Sequence, residues 1–193
     1  GRAELNLEDE SLVNVKIERF RVRPGDDASC LNLYQPRNPR ILGVSDEFIK
    51  ENRFSFQGTT SIRKESQDNP WLILNGRLGS EAIPVIADAN SMTYVLHKTL
   101  GSRIVINDGN GQPVTLQIAA ALNDSLFQGE LLMSEQNFLR LFPNQQGWRF
   151  FLIDAPADKA QAAATVLEDR LTDFGFDATT TAEKLAEFHR VEN

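Results

Sequence analysis

Two short β-forming runs, Ile104-Val105-Ile106 and Val114-Thr115-Leu116-Gln117-Ile118, are separated by Asn107-Asp108-Gly109-Asn110-Gly111. Asn, Asp and Gly tolerate the positive φ angles of a tight reversal, so this segment is expected to close as an antiparallel hairpin. A hairpin with an apolar face cannot stand alone in water; it needs further strands or a covering helix. Both are legible elsewhere in the chain. Ile83-Pro84-Val85-Ile86-Ala87 reads as a strand, with Asp88 or Asn90 able to cap a helix through about His97 and Leu100-Gly101 closing that unit. Glu130-Leu131-Leu132-Met133 reads as a strand running into Ser134, the N-cap of a helix through about Leu141 that Pro143 stops.

The final fifty residues read as β-α-β-α. An aromatic-rich strand spans 148–153, and Asp158 opens a helix with Ala160, Ala163, Leu167, Leu171 and Phe174 on one face and Gly175 as its stop. Residues 176–179 form a short strand, and Thr180 with Glu183 makes a capping box that starts a last helix. At the other end, residues 1–10 are polar and acidic and expected to fray. Val13, Val15 and Ile17 alternate, then the pattern resumes in shifted phase at Phe20 and Val22, which predicts a bulged strand ended by Pro24-Gly25-Asp26-Asp27. Residues 28–40 read as strand, then turn. Ser45 caps a short helix through about Lys50, and Phe54 and Phe56 alternate as a short strand. Residues 57–69 hold one aliphatic side chain, Ile62, and read as a mobile loop, while Trp71-Leu72-Ile73-Leu74 fits either a strand or a helical turn.

The chain has 193 residues, 41% hydrophobic and 24% charged, enough for one domain or two small subdomains with a real core. Its 20 Lys and Arg against 27 Asp and Glu give a net charge of −7, which argues against a nucleic-acid partner, because such a partner demands a dense cationic face. One cysteine, Cys30, cannot form an internal disulfide, and with only His97 and His189 beside it no structural zinc site can be assembled. Cys30 reads as a small buried hydrophobe. No stretch approaches the roughly 18–20 apolar residues of a membrane span. The sequence begins without Met and stops at Val191-Glu192-Asn193 just after an amphipathic pattern, so both ends are expected to be cut from a longer chain.

No constellation for catalysis emerges. Neither histidine has a partner at ligand spacing, and there is no nucleophile elbow. Asp108-Gly109-Asn110-Gly111-Gln112-Pro113 begins like a calcium loop, but Pro113 stands where the sharp-turn Gly belongs and Ala119 where the bidentate Glu belongs. Gly109 and Gly111 lack the strand-to-helix setting of a phosphate cradle. Asp26-Asp27 and Glu8-Asp9-Glu10 read as solvated charge, Asn123-Asp124-Ser125 as a chance glycosylation match, and Trp71 and Trp148 as core. No residue is assigned to catalysis, a cofactor or a metal.

The run Ile83 to Phe142 resembles the extracytoplasmic domain of FtsX/MacB-type ABC transporter permeases. It is carried by Pro84 to Ala87, Leu100-Gly101 with Ile104 and Ile106, Val114 to Ala121, and Leu131 to Phe138. It departs from that family at Ile118-Ala119-Ala120-Ala121-Leu122, where the family has a Val-Val-Gly-Val-like segment. The early stretch from Phe20 to Ile49 resembles a variant found in large permeases of undefined substrate.

The resemblance implies an α+β, MacB-like periplasmic core domain. A porter-like α/β subdomain would comprise 11–56 with 147–193, its N-terminal strand pairing with the late β-α-β-α, and a β-rich Sabre-like subdomain 57–146. Flanking transmembrane helices would lie outside this sequence. The implied function is non-catalytic: coupling cytoplasmic ATP hydrolysis to extracytoplasmic movement for export or mechanotransmission. The ATPase would be separate, in keeping with the lack of G-x-x-x-x-G-K-[ST] in this sequence. Implied partners are a second permease half or subunit, the ATPase, and a periplasmic adaptor or a protein or lipid substrate. The alternative is a periplasmic scaffold that regulates another protein such as a cell-wall hydrolase. An exposed apolar groove at the Ser125, Leu126, Phe127, Gln128 loop would favour it. A third reading, a hydrolase, would need a pocket gathering shifted ionisable groups.

Overall fold

The computed structural model describes residues 12–25, 38–61, 64–76, 82–175 and 177–184. The chain forms two compact units, residues 1–18 with 151–193 and residues 19–150. The strands in chain order are β1 (Lys16–Arg23), β2 (Arg40–Val44), β3 (Phe56–Thr59), β4 (Ile83–Asp88), β5 (Arg103–Asn107), β6 (Pro113–Leu122), β7 (Glu130–Ser134) and β8 (Phe150–Asp154). They make one mixed sheet in the order β3-β6-β4-β7-β2-β1-β8, with β5 on β6. The expected pairing of the first strand with the aromatic-rich late strand is therefore present. Among the described residues the α-helices are α1 (Asp46–Glu51), α2 (Lys64–Asp68), α3 (Glu135–Leu141) and α4 (Ala160–Leu171), and residues 181–184 are also helical. The chain is α+β.

The central strands are covered on both faces, and their sequences are apolar except at the ends, Asp88 in β4 and Glu130 and Ser134 in β7. Every residue of β4 and of β7 is buried. Pleating sends Ile41, Val85, Ala87, Leu131 and Met133 to one face, where Phe138, Leu141 and Phe142 pack on them. On the other face, aromatic rings gather: Phe48 lies 5.2 Å from Phe20, 5.0 Å from Trp71 and 6.5 Å from Phe127, all edge-on. Such pairs each add about 0.5–1.5 kcal/mol beyond burial alone.

The hairpin forms as expected, with Ile106 opposite Val114 and Asp108 Oδ1 accepting from the Asn110 and Gln112 N–H groups at 2.8 and 2.9 Å. The register of β4 against β6 slips between Val85 and Ile86, leaving Ala119 unmatched in the small-residue run of β6. The Ala119 carbonyl in that bulge accepts from the Thr60 N–H at 2.8 Å and from the Thr59 and Thr60 hydroxyls at 3.3 and 3.1 Å. One long strand thereby pairs with β5 along its first half and with β3 along its last residues.

The caps expected at Ser45, Ser134 and Thr180 are made, whereas the helix expected to open at Asp158 begins at Ala160 without a side-chain cap. Ser45 Oγ accepts from the Phe48 N–H at 3.2 Å, and Ser134 Oγ from the Asn137 N–H at 3.3 Å. Thr180 Oγ1 accepts from the Glu183 N–H at 3.2 Å, while Glu183 Oε2 accepts from the Thr180 hydroxyl at 2.7 Å and the Thr180 N–H at 3.1 Å. The Thr180 hydroxyl, then the Thr180 backbone N–H, hold the Glu183 carboxyl below its ordinary value. A lowered folded value means that the cap's stabilisation is present above the unfolded carboxylate range and is lost as pH falls through the folded value. An NMR titration is expected to place Glu183 below an ordinary glutamate, and Thr180→Ala to return it upward; identical titration in both proteins would contradict the cap.

Several expectations are corrected. The first strand begins at Lys16 because Asn14 takes a left-handed turn at φ 66°, which leaves Val13 exposed. Residues 57–69 are not one loop: β3 runs to Thr59, and α2 is a polar helix with Asn69 bonded to the Ile49 carbonyl at 2.8 Å. Residues 70–75 form a 3-10 turn capped by Asn69, which settles the Trp71 segment as helical. The helix expected through His97 is a π-helical turn, Ser91–Val95, and His97 lies beyond it at φ 50°. Of the strand expected over 176–179, residues 177–179 are irregular and residue 176 lies outside the described residues. The strand expected within 28–40 falls outside the described residues as far as residue 37, as do Cys30, His189, Asp26-Asp27 and Glu8-Asp9-Glu10.

In the unit of residues 1–18 with 151–193, Leu12, Val15, Ala163 and Leu167 form a small core, flanked by Ile17, Ile153, Val166 and Leu171. Ala163 and Leu167 thus lie on the buried face that the helical spacing predicts, while Ala160, expected beside them, is exposed in the first turn of α4. Gly175 stops the helical run at φ 69°.

Gly43, in β2, faces the Phe138 ring so closely that an added Cβ would stand 3.0 Å from both Phe138 Cβ and Cγ. Its backbone is fixed opposite Arg21 on one side and Met133 on the other. Gly43→Ala is expected to cost about 1–3 kcal/mol through overpacking. A thermal melt checks it, and Phe138→Leu in the Gly43→Ala background should recover part of the loss.

Candidate functional site

The Ser125, Leu126, Phe127, Gln128 loop joins β6 to β7, and its position is set by a carboxylate far away in sequence. Asp88 ends β4 and is fully buried. Its Oδ1 accepts from the N–H groups of Asn90 at 3.0 Å and Ser91 at 3.2 Å, capping the helical turn that follows. Its Oδ2 accepts from the Ser125 N–H at 2.7 Å and the Ser125 hydroxyl at 2.9 Å. Four charge-assisted bonds keep this carboxylate solvated by protein instead of water.

The neighbouring polar groups complete a network. Ser91 Oγ donates to Gln128 Oε1 at 2.8 Å and accepts from the Gly129 N–H at 2.7 Å. Ser125 Oγ accepts from the Phe127 N–H at 3.3 Å, and the Gln128 side-chain amide donates to the Ser125 carbonyl. The loop is also tied at its start, where the Asn123 N–H donates to the Ser55 carbonyl at 2.9 Å.

This clasp turns the loop's apolar side chains inward. Phe127 is fully buried and lies 5.8 Å from Phe20, 5.4 Å from Phe54 and 6.2 Å from Phe150; Leu126 is buried too. The exposed apolar groove that would favour partner binding here is not formed by Leu126 or Phe127. Chemically the cluster positions chain: the Ser125 hydroxyl already serves the carboxylate and a backbone N–H, and Asp88 is joined to that hydroxyl and to three backbone N–H groups. Among the described residues no group of three or more His, Cys, Asp and Glu could hold a metal ion.

The sequence placed both tryptophans in the core, and the structure separates them. Trp71 is fully buried, its Nε1–H donating to the Arg53 carbonyl at 2.6 Å. Trp148 is 39% exposed, with the Arg19 guanidinium 4.1 Å and the Arg21 guanidinium 5.0 Å from its ring centroid. Alternation along β1 placed Phe20 and Val22 inward, and that same alternation, with arginine at 19, 21 and 23, was the available signal for an outward cationic strip.

No protein-family model matches the chain, and no curated protein matches it. Among solved structures, the chain is similar to the extracellular domain of the noncanonic ABC-type transporter YknZ from Gram-positive bacteria. The identity is 15% over 88% of this chain and 83% of that chain, with a TM-score of 0.37. It is also similar to the periplasmic region of MacB from Actinobacillus actinomycetemcomitans, at 10% identity over 80% of this chain and 66% of that chain, with a TM-score of 0.39. At these scores neither likeness bears on function, which is argued from the chain's own residues. No helix among the described residues is long and apolar enough to cross a membrane.

Proposed function

We propose that this chain is the extracytoplasmic domain of an ABC transporter permease of the FtsX/MacB type, a non-catalytic part that couples ATP hydrolysis on the cytoplasmic side to movement outside it. One observation carries the reading: the segments that resemble the family fall on successive elements of the sheet. Pro84 to Ala87 lie in β4, Leu100-Gly101 in the turn before β5, Val114 to Ala121 in β6, and Leu131 to Phe138 in β7 and the start of α3. A buried sheet whose polar cluster is spent on positioning supports a rigid, force-bearing role over chemistry. The partners of this reading are a second permease half or subunit, a separate ATPase, and a periplasmic adaptor or a protein or lipid substrate, with transmembrane helices flanking the domain on either side.

The test uses the full-length permease in intact cells. Cysteine placed at exposed Tyr94, in a Cys30→Ser background, is expected to react with a membrane-impermeant maleimide added outside. Reaction only after the cells are opened would overturn the assignment. The division into a porter-like 11–56 with 147–193 and a Sabre-like 57–146 belongs to the same proposal. Limited proteolysis with first cuts in 57–69 and 143–147 supports it; first cuts near residues 18 and 151 would replace it with the boundary between the compact units.

A further inference from the structure

Residues 136–153 contain no Asp or Glu, although the chain as a whole carries a net charge of −7. This stretch includes Trp148 and Arg149, and it lies beside the outward side chains of β1. The Arg149 N–H donates to the Phe20 carbonyl at 3.1 Å, holding the 147–149 turn against the strand. Arg21 pairs with Glu135 and also donates from Nη1 to the Gly147 carbonyl at 3.4 Å, which fixes the turn from the other side. On this support Arg19 stacks over the Trp148 ring at 4.1 Å. No carboxylate among the described residues pairs with Arg19 or Arg149, and both are exposed.

A guanidinium stacked on an indole keeps its in-plane N–H fork free to take a carboxylate by two parallel bonds. The stacking also restrains the arginine beforehand, so less side-chain entropy is lost when an anion arrives. We propose that Arg19 on the Trp148 ring, with Arg149 next to it, is a docking point for an acidic segment of a partner protein, Arg21 being committed to Glu135 as the support of that face. Charge complementarity identifies the partner's chemistry. A linear acidic peptide fits better than an anionic bilayer: the molecule's overall negative charge opposes an extended anionic plane, and the indole ring lies beneath guanidinium groups instead of standing free to insert among headgroups. The inference rests on these side chains and not on the transporter reading, so the two fail separately.

The test is an NMR titration of the full chain with an end-blocked eight-residue peptide alternating Glu and Val, followed at the two indole N–H signals. Trp71, buried and bonded to Arg53, is the internal reference. The expected result is a shift of the Trp148 signal alone, absent with the Gln-Val counterpart and reversed by added salt. Arg19→Gln should weaken the apparent affinity roughly fivefold, the effect of losing one exposed charge pair, at an unchanged thermal midpoint. Arg103→Gln, on β5 at the far side of the sheet, should leave the affinity unchanged. No shift of Trp148, or equal weakening by Arg19→Gln and Arg103→Gln, would overturn the proposal. So would a Trp148 shift with phosphatidylglycerol vesicles and none with the peptide, which would assign the face to a membrane.

Discussion

Asp88→Ala is expected to lower stability by about 3–4 kcal/mol, a loss that a melt of a chain this long reads as roughly 10 °C. The substitution removes the acceptor for the N–H groups of Asn90, Ser91 and Ser125 and for the Ser125 hydroxyl, and Ser91 and Ser125 are both buried. Asp88→Asn separates charge from shape. Its amide oxygen can still serve Asn90 and Ser91, but its NH2 group then faces the Ser125 N–H, donor against donor. The Ser125 hydroxyl can rotate to accept; the backbone N–H cannot. Asp88→Asn should therefore cost about 1–3 kcal/mol, the desolvation of one buried donor left unmade. Hydrogen exchange gives the local readout: the Ser125 and Phe127 amides should lose protection ahead of the β5–β6 hairpin. An Asp88→Asn protein with wild-type melting and wild-type exchange in this loop would show that the carboxylate does not hold it.

How much of this was legible in the sequence depended on the range of the chemistry involved. Ser45, Ser134 and the Thr180–Glu183 pair act on N–H groups within three residues, so their caps could be read directly, as could the hairpin turn at 107–111. Strand β2 could not. Ile41-Leu42-Gly43-Val44 is a short apolar run, and what makes it a strand is parallel pairing with β7, ninety positions along the chain, plus a glycine small enough to admit Phe138. Helix α2 was hidden because its sequence is polar throughout and its stop is an asparagine that bonds back to α1. The candidate loop was half legible. Leu126 and Phe127 are visibly apolar within a loop, but their direction is set by Asp88, 37 residues before Ser125. Asp88 itself was readable as a helix cap; its second oxygen, committed to another loop, was not.

The burial of those two apolar residues yields the second large effect. Phe127→Ala should destabilise the protein by about 3–5 kcal/mol, because it empties a site shared by four other rings. Phe20, Phe48, Phe54 and Phe150 all lie within 6.5 Å of its centroid, and their rotamers are locked by one another, so they can close only part of the space. A docking residue would behave differently: its truncation would weaken a partner while leaving the melt unchanged. Phe127→Leu sharpens the comparison. It retains most of the apolar volume but loses the edge-on ring contacts, so its cost should be smaller, about 1–2 kcal/mol. The order wild type, Phe127→Leu, Phe127→Ala in melting temperature is what a core ring predicts. Equal stability of all three would place Phe127 outside the core and return the loop to consideration as a binding surface.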